Sequence, residues 1–76
     1  MKRWFRLEVL GLGYTIDFQA FDLADACERA MFEARKRVGS RRFEFRLYGE
    51  VDTSDKIHHG ELLAHYDGWE VSYPWA

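Results

Sequence analysis

Residues 14–38 read YTIDFQAFDLADACERAMFEARKRV, and within this stretch the spacing of the apolar residues changes once. Tyr14, Ile16 and Phe18 stand at every second position, which is typical of a strand with one buried face. From Asp22 onward the apolar residues recur at helical spacing instead. The stretch therefore predicts a strand that leads directly into one amphipathic helix.

The helix is predicted over residues 22–38. Asp22 is a suitable N-cap, and Asp25 adds a negative charge to the first turn, where the helix dipole favours it. Gly39 is a suitable C-terminal stop. The predicted buried stripe consists of Leu23, Cys27, Ala30, Met31, Ala34 and Val38.

Two-residue alternation recurs on both sides of this stretch and predicts further strands. The predicted strands cover residues 3–10, 14–20, 41–49, 61–66 and 69–73. A right-handed connection through the helix places the third strand beside the first and antiparallel to it. We therefore expect one α+β domain over residues 1–76, with a five-stranded antiparallel sheet (ββαβββ, order 2-1-3-4-5). We expect the helix to pack on one face of the sheet and to cover Phe5, Phe43 and Trp69.

The residues that remain do not suggest catalysis. Cys27 has no partner for an intramolecular disulfide, and its place in the helical stripe predicts a buried, inert thiol. No nucleophile stands beside a base, so we expect neither an enzyme nor a cofactor. Residues 1–6 carry charge into a strand and lack the apolar run of a signal peptide or a membrane span. We therefore expect a cytoplasmic protein without a membrane partner.

His58 and His59 share an acidic loop with Asp52 and Asp55. Adjacent residues in an extended chain point to opposite sides, which is poor geometry for holding one ion. A solvated loop is the favoured interpretation over a metal site, and no metal is expected.

Charge is divided unevenly along the chain. Residues 1–49 hold ten Lys or Arg and seven Asp or Glu, whereas residues 50–76 hold one Lys and six acids. Clustered carboxylates could meet a basic groove, including one that normally holds nucleic acid. The predicted partner-binding acidic edge consists of Glu50, Asp52, Asp55, Glu61, Asp67 and Glu70. The alternative is that these acids keep the domain soluble and protect an exposed sheet edge.

The open face of the sheet is a second candidate surface. Secondary candidates for partner binding are Arg6, Arg42, Arg46 and Tyr48 on that face, and Phe32 on the outer side of the helix. An arginine and aromatic platform suits a nucleic-acid strand or a protein. Support for a nucleic-acid-binding module also comes from the basic group Arg35, Lys36, Arg37, Arg41 and Arg42. Against it stand cross-strand pairing of the arginines with glutamates and the net charge of −2, so direct nucleic-acid binding is the less favoured alternative.

Residues 14–27, YTIDFQAFDLADAC, form a strand that runs into an acid-capped helix. In this stretch, in its size and in its aromatic-rich strands, the chain resembles the small phage-encoded inhibitor proteins of the anti-CRISPR type. The resemblance lies in layout and assigns no binding residue. It implies a non-catalytic inhibitor that occupies a surface of a protein or nucleoprotein assembly. We accordingly expect a small interaction protein that is a monomer or a weak homodimer.

Overall fold

The computed structural model describes residues 2–49 and 60–74. Its elements are β1 (Arg3–Val9), β2 (Tyr14–Ala20), α1 (Leu23–Val38), β3 (Phe45–Gly49), β4 (Glu61–Tyr66) and β5 (Val71–Ser72). The strands form one sheet in the order β2-β1-β3-β4-β5, and every neighbouring pair is antiparallel. The predicted α+β architecture and strand order are therefore confirmed.

The core lies between the helix and one face of the sheet. Alternate residues of β1, namely Phe5, Leu7 and Val9, are buried, and so are Phe45 and Leu47 of β3. These two strands are neighbours in the middle of the sheet, with Leu7 opposite Leu47. Their side chains therefore form the centre of the apolar layer, as the two-residue alternation predicts.

Both ends of the helix are formed by the predicted residues. Oδ1 of Asp22 accepts a hydrogen bond from the Asp25 N–H at 2.8 Å, and Oδ2 of Asp25 accepts one from the Phe21 N–H at 3.0 Å. At the other end Gly39 has a φ of 81° and donates its N–H to the Arg35 carbonyl at 2.7 Å. The caps satisfy backbone groups that the helix itself leaves unpaired.

The helix packs through small side chains. Ala26, Ala30 and Ala34 are fully buried, and they are spaced by four residues along one line of the helix. The larger residues of the predicted stripe are only partly buried at its borders, as Leu23 and Met31 show. The predicted stripe omits Ala26, because the bulkier residues define the helical spacing from which the stripe is predicted. The three alanines bring the helix axis close to the sheet.

Two predicted strands are shorter in the structure. β3 begins at Phe45, although a backbone hydrogen bond from the Leu10 N–H to the Glu44 carbonyl extends the contact with the chain after β1. β5 contains only two residues, and the prediction that Trp69 lies in the core is wrong, because Trp69 is 78% exposed. The physical reason is the turn before it, where the Asp67 side chain binds backbone N–H groups that a longer strand would have used.

A bulge changes the faces of β4. The pairing with β3 shifts between Leu47 and Tyr48, so Tyr48 lies opposite Leu62 instead of Leu63. Two-residue alternation alone would place Leu63 on the open face, but in the structure Leu63 packs against the core. A side chain at Gly49 would collide with Leu63, which explains why glycine stands there.

Replacement of Phe45 by Ala tests this core. Phe45 is fully buried, so the substitution should lower the free energy of unfolding by roughly 3–5 kcal/mol. Urea unfolding followed by circular dichroism measures the change. The neighbouring Arg46→Ala is the control and should cost less than about 1 kcal/mol, because Arg46 lies on the exposed face. A mild effect at Phe45 with a severe one at Arg46 would mean that the two faces are reversed.

Candidate functional site

The sheet face opposite the helix carries charged side chains that pair with one another. Arg6 and Asp17 are register partners on β1 and β2. Nε of Arg6 donates to Oδ1 of Asp17 at 2.6 Å, and Nη2 donates to Oδ2 at 3.0 Å. Arg6 is only 2% exposed. Arg6, a predicted partner contact, is therefore a structural residue of this sheet.

The next ladder position along the same face is also internally paired. Glu8 lies opposite Arg46, with Nη1 of Arg46 3.7 Å from its Oε1. The Tyr48 hydroxyl donates to the same oxygen at 3.3 Å. Burial and the Glu8 carboxylate raise the pKa of Tyr48, so its hydroxyl keeps the proton that it donates. Arg46 and Tyr48 thus have partners within the sheet.

Glu44 and His65 complete the pattern on this face. Nε2 of His65 lies 3.5 Å from Oε2 of Glu44, which is an ion-pair distance without hydrogen-bond geometry. The predicted cross-strand pairing of arginine with glutamate is present between Arg46 and Glu8. Arg42 takes no part in it, because it precedes β3 and its guanidinium points to the β4–β5 turn.

A different surface collects positive charge that has no ion pair with a carboxylate of residues 2–49 or 60–74. Three cations occupy the last turn of α1, and two more follow in the segment that leads to β3. We name this surface the basic end, and it consists of Arg35, Lys36, Arg37, Arg41 and Arg42. Because α1 runs back along β2, its last turn lies near Tyr14, where β2 starts.

Aromatic rings hold four of these cations. The contacts to ring centres are Arg35 over Phe43 at 4.8 Å, Lys36 over Phe32 at 5.7 Å, Arg37 over Tyr14 at 4.7 Å and Arg42 over Trp69 at 4.9 Å. Each contact lies within the distance at which a cation is attracted to the face of an aromatic ring. A guanidinium stacked on a ring uses its flat face, and its in-plane N–H donors can still bind an anion.

An open groove adjoins the basic end. It consists of two depressions of about 410 and 250 Å³ that share Leu10, Gly11, Arg42 and Phe43. Arg41 lines the smaller depression. The lining thus combines apolar surface with two guanidinium groups and, in the larger depression, the Glu44 carboxylate. The smaller depression, which Glu44 does not line, suits an anion attached to an apolar or aromatic body.

The β4–β5 turn locks Arg42 against an exposed ring. Nη2 of Arg42 donates to the Asp67 carbonyl at 3.0 Å while the guanidinium lies on Trp69. Oδ1 of Asp67 accepts from the N–H groups of Trp69 and Glu70 at 2.8 and 2.9 Å. Gly68 has a φ of 100°, and a Cβ there would collide with Arg42. The turn therefore presents Trp69 in a defined position.

The predicted acidic edge is only partly described. Glu50, Asp52 and Asp55 lie outside the described residues. Glu61 and Asp67 lie at opposite ends of β4, about 20 Å apart at the usual rise of a strand. The Asp67 carboxylate is occupied by its turn, whereas Glu70 is exposed. Among the described acids, the structure therefore places Asp67 and Glu70 in one turn and Glu61 apart from them.

Exposed apolar residues give a further guide. Phe32 is 64% exposed on the outer side of α1, where the sequence places it, and Lys36 lies over its ring. Trp69 is the residue that sequence reasoning missed, because alternation assigned it to the core. The signal that could have found it is the Asp67-Gly68 turn directly before it, since an aspartate there can bind the next N–H groups.

The part of the chain that the structure describes shows no grouping of side chains typical of nucleophilic catalysis or metal binding. Burial raises the pKa of Cys27, which hydrogen-bonds with Tyr73, so the thiol is a poor nucleophile. Across residues 2–49 and 60–74, no three His, Cys, Asp or Glu side chains are grouped to hold a metal ion. His58 and His59 lie outside these residues. Within the same ranges, no helix has the length and apolar character needed to cross a membrane.

Comparison with protein-family models, with curated proteins and with solved structures gave no match.

Replacing Asp17 by Ala tests the buried pair. The substitution leaves the Arg6 guanidinium without its two-point partner, so we expect a loss of about 2–3 kcal/mol in unfolding free energy. Glu8→Ala breaks a more exposed pair and should cost at most about 1 kcal/mol. Urea unfolding of both variants gives the comparison. Equal losses would show that the Arg6–Asp17 pair does not anchor the sheet.

The turn at Asp67 predicts a pH dependence. Hydrogen bonds from the Glu70 and Trp69 N–H groups lower the pKa of Asp67. A lowered pKa in the folded state means that the turn is stabilised above the unfolded-state pKa and loses that stabilisation as pH falls through the folded value. NMR titration of the Trp69 amide should therefore show a midpoint below the ordinary aspartate range. Asp67→Asn should abolish this step, and a midpoint at or above the ordinary value would contradict the turn.

Proposed function

We propose that this chain is a non-catalytic binding domain that recognises an anionic macromolecular partner through its basic end. The observation that carries the proposal is a groove lined by Arg41 and Arg42 and, at Val38, by the end of α1, whose last turn carries three more cations. The helix dipole alone would explain cations in the last turn of α1. It does not explain Arg41 and Arg42, which lie beyond the end of the helix.

The electrostatics of the two candidate surfaces favour the basic end. On the open sheet face Arg6 and Arg46 have carboxylate partners, so a phosphate or carboxylate of a partner would have to compete with them. Arg41 is exposed and has no hydrogen bond or ion pair to another described residue. A partner anion can therefore approach the basic end without breaking internal pairs.

Inhibition of a nucleoprotein assembly through the acidic edge stays a prediction. It depends on Glu50, Asp52 and Asp55, which lie outside the described residues. Charge reversal at Asp52 and Asp55 tests it separately from the basic end, because these substitutions change none of the described residues that line the groove.

Charge reversal at the groove tests the proposed function. We expect Arg37→Glu with Arg41→Glu to weaken binding to a fluorescent heparin fragment at least tenfold and to lower the salt slope by roughly one per cation in contact. Fluorescence anisotropy at several salt concentrations measures both. The control, Lys2→Glu with Arg29→Glu, has the same net charge but changes exposed cations away from the groove. Equal losses of heparin affinity in both double variants would show that the effect depends on net charge alone, which would contradict the proposal.

A further variant should tighten binding, so its effect differs in sign from a loss of binding caused by damage to the fold. Glu44 lines the larger depression, so Glu44→Gln removes a repulsive charge and should tighten heparin binding by about two- to fivefold. Thermal unfolding of Glu44→Gln checks that the variant keeps its fold. An unchanged affinity would place the bound polyanion away from this groove.

A further inference from the structure

The groove and the β4–β5 turn form one continuous surface through Arg42. Its side chain lines both depressions and also lies on the Trp69 ring. A ligand chain that binds the guanidinium groups in the groove therefore also lies next to the exposed ring of Trp69. This order of cation and ring is a stronger constraint on the ligand than positive charge alone.

We propose that the partner bound here is a single-stranded nucleic acid, with phosphates on Arg41 and Arg42 and a base stacked on Trp69. The inference rests on the proposed function, since it names the class of anion that the basic end binds. Bases of a single strand are unstacked and can lie flat on an exposed ring, whereas those of a duplex cannot.

The exposure of Trp69 is the first argument for a base. An indole that is 78% exposed keeps a large apolar area in water. Neighbouring residues restrain it: the Arg42 guanidinium lies over the ring, and the Trp69 backbone N–H donates to the Asp67 carboxylate. A ring held in one place loses little freedom when a base stacks on it, so more of the stacking free energy appears as affinity.

The kind of cation is the second argument. Four of the five residues in the basic end are arginines. The guanidinium fork binds two phosphate oxygens at once and also stacks on bases, which an ammonium group does less well. An acidic peptide would use the same charges, but it would leave the Trp69 ring without a flat partner.

A comparison of matched anions tests the inference. The probes are a labelled oligothymidine, an abasic deoxyribose-phosphate strand of the same length, and a polyglutamate peptide of the same charge. Anisotropy titrations at low and moderate salt should show tightest binding to oligothymidine, because only this probe offers bases for stacking. Equal binding of the abasic strand, or tighter binding of polyglutamate, would overturn the nucleic-acid assignment.

Trp69 variants then locate the stacking. Trp69→Leu should weaken oligothymidine binding about tenfold or more and change abasic binding less than twofold, whereas Trp69→Phe should lose less than Trp69→Leu. Trp4→Leu, on the sheet face, is the matched control and should leave both affinities unchanged. Because Trp69 is exposed, the fold should survive its replacement, which thermal unfolding checks. An unchanged oligothymidine affinity in Trp69→Leu would overturn the inference.

The outcomes separate this inference from the proposed function. If none of the three anions binds, and heparin does not bind either, the proposed function is wrong. If all three bind equally and Trp69→Leu has no effect, the basic end binds polyanions but the assignment to single-stranded nucleic acid is wrong.

Discussion

Close packing of the helix on the sheet is the constraint on which the other features depend. Ala26, Ala30 and Ala34 place no bulk between α1 and the strands, so the large core side chains come from the sheet. A small domain has little surface to bury, and a helix held at a distance would leave voids that each cost stability. The same close approach brings the last turn of the helix to Tyr14 of β2 and to Phe43, which precedes β3. The rings of these two residues contact Arg37 and Arg35.

Arginine serves two different purposes in this fold. In the sheet, Arg6 is buried and its donors meet both oxygens of Asp17. A buried guanidinium is tolerable only when its charge and N–H groups are satisfied, and this arrangement meets that requirement. At the basic end, Arg37 and Arg42 instead contact rings, which fix the side chain without neutralising it. Only the arrangement at the basic end leaves positive charge available to a partner. This difference distinguishes the candidate binding surface from the sheet face, where Arg6 is paired.

The features that could be predicted from the sequence depend on local rules. Alternation located the strands, and Asp22 with Gly39 marked the helix ends, because capping and strand periodicity involve neighbours in the chain. Features set by distant contacts were not predictable. The bulge opposite Tyr48 and the pairing of Arg6 with Asp17 depend on register between strands. The exposed position of Trp69 depends on which N–H groups the Asp67 side chain binds, and periodicity carries no information about that competition. The basic group was visible in the sequence, but the groove that it lines was not.

Net charge is a poor guide to this surface, because electrostatic reach is short compared with the domain. At physiological ionic strength the screening length is about 8 Å. The acids at the start of α1, Asp22 and Asp25, are separated from its last turn by roughly 15–20 Å at 1.5 Å per residue. Glu61 lies at the far end of β4 from the turn that holds Trp69. A polyanion at the basic end is therefore screened from these carboxylates, and the charges that decide its binding are those within one screening length. Among the carboxylates near the basic end, Glu44 lines the larger depression and Glu33 lies one helical turn before Arg37, so these two are the chief local opponents of an anionic ligand. The overall charge of −2 thus allows a locally positive binding surface.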